Sequence, residues 1–133
     1  MRELTIQEIK RFNHWLVDSV WNHFIAQDKP FAYNEDDKTC RLRTEDGRKC
    51  AIGIFIPDTI YFEELETQLF AASNMIITRL FGSGIIPHDE GRMGTADILS
   101  KLRGIHDHSA KYYNKDYFKT KLIELKSKIE TWN

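Results

Sequence analysis

Residues 40–56, CRLRTEDGRKCAIGIFI, decide the fold class, because they place β-hairpin signals inside an otherwise helical pattern. Residues 40–43 alternate apolar and basic side chains, as a half-buried strand does. Asp46-Gly47 is a turn signal, and residues 49–56 are apolar and partly β-branched. We therefore predict a two-stranded hairpin over 40–56. The side chains predicted to share its inner face are Cys40, Leu42, Cys50 and Ile52. A lone hairpin is marginally stable, so it must pack against helices.

Helical periodicity lies on both sides of this hairpin. Upstream, Thr5-Ile6-Gln7-Glu8 has capping-box spacing, and apolar residues then recur every three or four positions. This predicts a helix over 5–27, with Trp15 and Trp21 widening its buried face. Similar periodicity predicts further helices over 60–82, 95–107 and 114–132, and the four glycines and one proline of residues 82–94 predict a loop. The predicted fold is one domain, 1–133, mostly helical α+β, with about four helices packed around one small β-hairpin.

The composition is that of an ordinary globular domain. The chain has 133 residues, of which 41% are hydrophobic and 29% charged. A formal net charge of -1 gives no bulk attraction to nucleic acid or anionic lipid. No apolar run reaches the ~18 residues of a membrane span, and the N-terminus lacks the apolar stretch of a secretory signal. We therefore expect a cytoplasmic protein without a membrane partner.

The sequence contains no motif that accounts for a reaction. A Gly-rich phosphate loop, a Ser-centred elbow, a zinc-protease motif and zinc-finger spacing are all missing. Cys50 is a candidate nucleophile with a histidine such as His106 as base, but its apolar strand favours inert packing. The candidate zinc ligands are Cys40, Cys50, His106 and His108. Neither the Cys-x9-Cys nor the His-x-His spacing is a compact chelating pair, so we predict no metal, no cofactor and no catalytic residue.

The triplet His106-Asp107-His108 has two interpretations. Asp107 could orient a histidine for general acid–base catalysis. Alternatively, the triplet ends the third helix, where polar side chains cap carbonyl groups and a cationic histidine suits the helix dipole. The second interpretation is favoured.

Charged residues around the hairpin form the predicted contact surface. Basic side chains at its turn could bind phosphate or carboxylate groups of a partner, or could pair with nearby acids such as Glu45 and Asp46. Residues 58–90 carry a net charge of -5 and residues 95–133 a net charge of +3, which can guide docking to a partner or to a second copy. The predicted partner-binding residues are Arg41, Arg43, Arg48, Lys49, Glu63 and Glu64.

A second candidate surface combines aromatic and basic residues. Tyr112, Tyr113, Tyr117 and Phe118 alternate with Lys111, Lys115 and Lys119. Such a pattern can stack on single-stranded bases. Packing is nevertheless the expected role, since Phe118 lies in the core stripe of the last helix and the chain as a whole is not basic. Nucleic acid is therefore not the expected partner.

Several sequence blocks of the chain recur together in a known group of proteins. These blocks are Cys40-Arg41-Leu42-Arg43, Lys49-Cys50-Ala51-Ile52-Gly53, Ile56-Pro57-Asp58 and Ile105-His106-Asp107. Through them the chain resembles a group of small phage- and prophage-encoded proteins, over roughly residues 12–66 and 99–107. The segment from Phe70 to Gly94 departs from the pattern. The resemblance implies a phage or prophage origin and no mechanism, since no activity is established for the group.

The leading functional hypothesis is a non-enzymatic protein that acts by protein–protein binding. The resemblance implies a host or phage protein as partner, and an inhibitor of a host factor or defence system as the role. One alternative is a small enzyme or zinc-dependent protein that uses Cys50 and His106. Another is a nucleic-acid-binding accessory protein. Homo-oligomer formation also stays open.

Overall fold

Four helices and two small sheets form the part of the chain that the computed structural model describes, which is residues 2–3, 5–27, 30–81, 85–86, 94–112 and 114–132. The helices are α1 (Ile6–Ile25), α2 (Leu69–Phe81), α3 (Thr95–Tyr112) and α4 (Lys115–Thr131). Strand β1 (Arg2–Glu3) pairs in parallel with β4 (Ile85–Ile86), and β2 (Tyr33–Asn34) pairs antiparallel with β3 (Thr39–Cys40). The predicted fold class, mostly helical α+β, is confirmed. None of the described helices has both the length and the apolar character needed to cross a membrane.

Helix α1 begins where the capping-box spacing placed it. The Thr5 hydroxyl accepts a hydrogen bond from the Glu8 backbone N–H at 3.1 Å, and the Glu8 carboxylate accepts one from the Thr5 N–H at 3.0 Å. These reciprocal bonds satisfy two donors that a helix start otherwise leaves unpaired. The buried residues of α1 include Ile9, Leu16, Val17, Val20 and Phe24, which repeat at helical spacing. This stripe packs against α3 and α4.

Helix α4 closes the core against α1 and α3. The Asn114 side chain caps it by accepting a hydrogen bond from the Tyr117 N–H at 2.9 Å. Four members of its predicted apolar stripe are buried, namely Phe118, Leu122, Leu125 and Ile129. Polar contacts then join α4 to α1: Lys10 Nζ donates to the Glu130 carbonyl at 2.7 Å, and Lys126 pairs with Asp18 at 2.6 Å.

The hairpin predicted over 40–56 is wrong in its extent and in its pairing. Strand β3 pairs with the upstream strand β2, and the two predicted strands are joined by a single bridge between Arg43 and Lys49. The polar residues 35–38 form the actual hairpin turn. The Asn34 side chain accepts a hydrogen bond from the Asp36 N–H and the Asp37 carboxylate accepts one from the Thr39 N–H, which is how Asn and Asp stabilise tight turns.

The apolar run after Cys50 folds into turns rather than a strand. The Cys50 sulfur accepts hydrogen bonds from the N–H groups of Ile52 and Gly53, at 3.4 and 3.2 Å. Residues Gly53–Phe55 then form a 3-10 helix. Local sulfur–backbone bonds therefore replace the ladder bonds that a second strand would need. Apolar composition alone does not separate a buried strand from a buried turn, which is why the prediction failed.

Two helix boundaries also differ from the predictions. The segment predicted as helix from residue 60 begins with a 3-10 helix, Glu63–Thr67, and α2 starts only at Leu69. Helix α3 does not end near residue 107 but continues to Tyr112, because Ser109 and Ala110 are buried against the core. The triplet at 106–108 therefore lies inside a helix. Most of the predicted loop over 82–94 lies outside the described residues, apart from β4 and Gly94.

Candidate functional site

Three potential ligand side chains meet where β3 packs against α3. The ligand atoms of Cys40, His106 and Asp107 all lie within 4.8 Å of one another, and across the described ranges no other group of three or more His, Cys, Asp or Glu does so. The Cys40 thiol lies 3.9 Å from the Asp107 backbone carbonyl and donates to it. Of the four candidate zinc ligands, the structure thus brings Cys40 and His106 together. We call this group the Cys40–His106–Asp107 cluster.

His106 is fully buried, and both of its ring nitrogens are engaged. Nε2 lies 3.1 Å from the Ala32 backbone nitrogen, which donates to it. A nitrogen that accepts must carry its lone pair, so the proton of neutral imidazole resides on Nδ1. Nδ1 in turn lies 2.9 Å from an Asp107 carboxylate oxygen. Burial lowers the pKa of His106, more than the Asp107 carboxylate raises it, which favours this neutral form.

This hydrogen bonding leaves His106 without a free lone pair. A metal at Nδ1 would require the proton to move to Nε2, where it would meet the N–H of Ala32. A general base would likewise have to give up the Ala32 bond. Asp107 is also committed, because Arg103 pairs with it at 3.6 Å one helical turn away. The residues of the Cys40–His106–Asp107 cluster therefore fit a structural hydrogen-bond bridge better than a metal site.

The two thiols do not supply a nucleophile. Burial, followed by the charge of Asp107, raises the pKa of Cys40 to about 12. Burial raises the pKa of Cys50 to about 11, and its side chain has no exposed surface. The reactive form of cysteine is the thiolate, so both residues are protonated and unreactive near neutral pH. Cys50 packs in the core, as the sequence interpretation favoured.

The Arg43 side chain links the backbone just after strand β3 to residues 56–61. Its guanidinium pairs with Asp58 at 2.7 Å, donates to the Ile56 carbonyl at 3.0 Å and lies 4.0 Å from the centre of the Tyr61 ring. Three contacts to its own chain occupy the planar group from several sides. Arg43 therefore has a structural role, in addition to any contact with a partner.

Glu66 completes this junction; from sequence it belonged to the acidic segment 58–66 beside the predicted contact surface, with no structural role assigned. One carboxylate oxygen accepts from the Leu42 N–H at 2.7 Å, and the other accepts from the Arg43 N–H at 3.3 Å. The Tyr61 hydroxyl also donates to Glu66. Burial and this bond raise the pKa of Tyr61 to about 12. We call Glu66, Leu42, Arg43 and Tyr61 the Glu66 junction. Their spacing in the sequence follows no known motif, so their mutual contacts could not be predicted from it.

Two other predicted contact arginines are also held by the chain. Arg48 pairs with Asp46 at 2.9 Å and donates to the Phe31 and Tyr33 carbonyls at 2.9 and 3.3 Å. Arg41 pairs with Asp37 at 2.9 Å. Both arginines therefore pair with nearby acids, and their part in binding a partner stays a prediction.

The remaining predicted contact residues lie at or near the surface. Glu63 and Glu64 are exposed in the first turn of the second 3-10 helix. Lys49 is half-buried, and its charge adds to burial in lowering the pKa of His23. Their part in binding a partner stays a prediction.

An aromatic group on α1 is more exposed than the periodicity predicted. Trp15, placed on the buried face by the sequence pattern, has 47% of its surface exposed. Its ring centre lies 5.6 Å from that of Phe12 and 5.6 Å from that of Phe55, both of which are half-buried. We call Phe12, Trp15 and Phe55 the three-ring cluster. Helical periodicity predicts a wide apolar face, but it does not show which other element of the fold covers each edge of that face.

Comparison with models of known families, with curated proteins and with solved structures finds no match to this chain.

Proposed function

We propose that this protein acts by binding another protein, and that the three-ring cluster is the centre of the contact. The observation that carries the proposal is a tryptophan with 47% of its surface exposed and supported by two phenylalanine rings. Tryptophan is enriched among the residues that dominate binding energy, above all where its position is fixed before binding. Trp15 is such a residue, and its ring is already held between Phe12 and Phe55 in the unbound chain.

The cluster adjoins part of the contact surface predicted from sequence. Phe55 directly precedes Ile56, whose carbonyl accepts a hydrogen bond from Arg43. Asp58, the acidic partner of Arg43, is exposed. An aromatic centre with charged residues at its edge matches the usual arrangement of a protein interface. The resemblance to phage and prophage proteins supports a host or phage protein as partner, and inhibition of a host factor as the role.

The alternative of a Cys/His enzyme has less support. It needs an ionised thiol or a histidine with a free nitrogen, whereas both thiols have raised pKa values and both nitrogens of His106 are engaged. A zinc-dependent role meets the same difficulty at His106.

The test compares Trp15→Ala with Phe62→Ala. Phe62 is matched in exposure, at 45%, but lies outside the three-ring cluster. Proteins captured from a bacterial lysate are identified by mass spectrometry, and the purified partner is then titrated by calorimetry. We expect Trp15→Ala to weaken binding about 30-fold, as loss of a major contact residue does, and Phe62→Ala to stay within about twofold. Equal affinity of both variants, or no partner that can be reconstituted, would contradict the proposal.

The six partner-binding residues predicted from sequence are tested by charge reversal, which suits only some of them. Reversing the charge of Arg43 would disrupt its contacts with Asp58 and Tyr61 and so would confuse binding with folding. Glu63→Lys and Glu64→Lys avoid this problem, because both side chains are exposed. If Glu63 and Glu64 contribute to the contact, these variants weaken binding of the same purified partner while their thermal unfolding stays unchanged.

A further inference from the structure

A lysine-lined groove runs between α3 and α4. Its volume is about 330 Å³, and its floor includes Gly104 from α3 and Leu125 from α4. The cations along it are Lys101, Lys121 and Lys128, against one acid, Glu124. Gly104 has no neighbouring atom within 4 Å of where a side chain would begin, so the groove is open at that point. We call this feature the α3–α4 groove.

A row of aromatic rings leads into the groove, with His108 and Tyr112 exposed and Tyr117 half-buried. The ring of His108 lies 5.0 Å from that of Tyr112 and 4.2 Å from that of Tyr117. Tyr112 has 60% of its surface exposed, and Tyr117 itself lines the groove. Aromatic faces and lysines therefore form one continuous surface. Tyr113, which the sequence pattern placed in the same set, lies outside the described residues.

The charge of this surface is positive although that of the whole chain is not. Lys101 pairs with Asp97 at 3.2 Å, and Lys121 pairs with Glu124 at 3.1 Å. Within the described part of the chain, Lys128 has no ion pair. Lys111 lies 5.6 Å from the ring of Tyr112, which places a further cation beside the aromatic row. The groove lining carries three lysines against one glutamate, so an anionic polymer would meet an attractive local potential.

We propose that the α3–α4 groove and its aromatic row bind single-stranded nucleic acid. The lysines contact phosphates, and unpaired bases stack on Tyr112 and on the neighbouring rings of His108 and Tyr117. From Tyr117 to Lys128 the groove follows roughly 16 Å of α4, given 1.5 Å per helical residue. A cationic groove beside stacking rings is the arrangement by which proteins bind single strands without reading sequence. An acidic polypeptide would use the lysines but leave the rings without a role.

This surface is independent of the proposed protein contact. The three-ring cluster involves α1 and the first 3-10 helix, whereas the groove is formed by α3 and α4. A substitution in one can therefore be made without changing the other, and either proposal can fail alone.

The experiment measures fluorescence anisotropy of a labelled oligothymidylate with the full chain over a series of salt concentrations. Three phosphate contacts predict a slope of about -2 for log affinity against log salt, at about 0.7 for each contact on a single strand. Lys128→Gln should lower the magnitude of this slope by about 0.7. Lys119→Gln is the matched control, because it removes the same charge from α4 but lies two residues from both Tyr117 and Lys121, on another face.

Tyr112→Ala tests stacking separately from charge. Because the side chain is mostly exposed, the variant should stay folded, and we expect about tenfold weaker binding with an unchanged salt slope. A duplex of the same length should bind more weakly than the single strand. The proposal is overturned by no binding at low salt, by equal effects of the two lysine variants, or by equal binding of the duplex. Binding of poly-glutamate in preference to the oligonucleotide would also overturn it, and would assign the groove to an acidic protein.

Discussion

The helical part of the molecule and the segment over residues 30–68 are held together in different ways. In α1 and α4, buried side chains repeat every three or four residues and pack as apolar stripes. In the segment 30–68, backbone positions are fixed by particular polar side chains, above all Arg43, Arg48 and Glu66. Apolar packing tolerates conservative exchange, whereas a carboxylate that accepts from two backbone N–H groups has no equivalent substitute.

His106 connects the two regions. It lies on α3 but accepts a hydrogen bond from Ala32, in the irregular segment. Its ring also lies among the core aromatics, with centres 5.5 Å from that of Phe24 and 5.4 Å from that of Phe31. This buried hydrogen bond adds to the apolar contacts that segment 30–68 makes with the core, such as those of Phe31, Leu42 and Ile52. The comparison between the two regions can be tested by substitutions on either side of this connection.

The largest effect is expected from Gly53→Ala. A Cβ at Gly53 would lie 1.9 Å from the Leu42 carbonyl oxygen, a backbone atom that cannot rotate away. The backbone would have to shift and the neighbouring Cys50 to Leu42 hydrogen bond would weaken, so we expect a loss on the order of 3 kcal/mol in the free energy of unfolding. Urea denaturation measures it.

Gly104→Ala is the matched control in the helical region. A Cβ there meets nothing within 4 Å, and alanine is the better helix former, so stability should rise by about 0.5–1 kcal/mol. Equal and small effects of the two glycine variants would mean that the close approach at Gly53 can relax without cost.

A smaller loss is expected from Glu66→Gln. The amide keeps one acceptor oxygen, but its NH₂ group cannot accept from a backbone N–H, so one bond of the Glu66 junction is lost. We expect about 1–2 kcal/mol lower stability by urea denaturation. Glu64→Gln, an exposed residue on the same 3-10 helix, should change stability by less than about 0.5 kcal/mol. A result for Glu66→Gln as small as that for Glu64→Gln would remove Glu66 from its bridging role.

The third prediction is a pH dependence that belongs to His106. Burial holds its folded pKa below the unfolded value of 6.5, so below that pH the unfolded state binds more protons. Stability should therefore fall as the pH falls below about 6.5, by at most about 1.4 kcal/mol per pH unit from this residue. His106→Gln removes the titration and retains an oxygen that can accept from Ala32, so its profile should be flatter between about pH 5 and pH 7. His23, whose pKa is also lowered, contributes equally to both proteins and drops out of the difference. Parallel profiles would show that His106 is not held neutral.

The sequence predicted those parts of the fold that depend on local pattern. The capping box at Thr5 and Glu8 and the buried stripe of α4 follow from spacing that neighbouring residues alone determine. The segment after Cys50 could not be predicted in the same way, because its conformation depends on sulfur–backbone bonds and on the close approach of Gly53 to Leu42. The sulfur–backbone bonds are local but follow no sequence period, and the approach of Gly53 to Leu42 is a tertiary contact.

The candidate site shows the same division. The sequence analysis named Cys40 and His106 as candidate zinc ligands and Asp107 as a residue that could orient a histidine, and the structure brings the three together. Their lack of reactivity depends on burial and on the hydrogen bond from Ala32 to His106. Neither can be inferred from the residue types alone. Likewise, the arginines near the hairpin were recognised as basic, but their carbonyl and aromatic partners at Ile56, Phe31 and Tyr61 become neighbours only in the folded chain.

The packing of α1 on α4 has a consequence for how the chain folds during synthesis. Lys10 contacts Glu130 across 120 positions of sequence, and His14 contacts it across 116. Contacts of such high sequence separation form slowly, because closing so long a loop costs conformational entropy before the contact stabilises it. Helix α1 is synthesised before α4, so its apolar stripe meets α4 only after the residues between them have emerged from the ribosome. Until then the part of the stripe that α4 covers is open to chaperones and to other nascent chains.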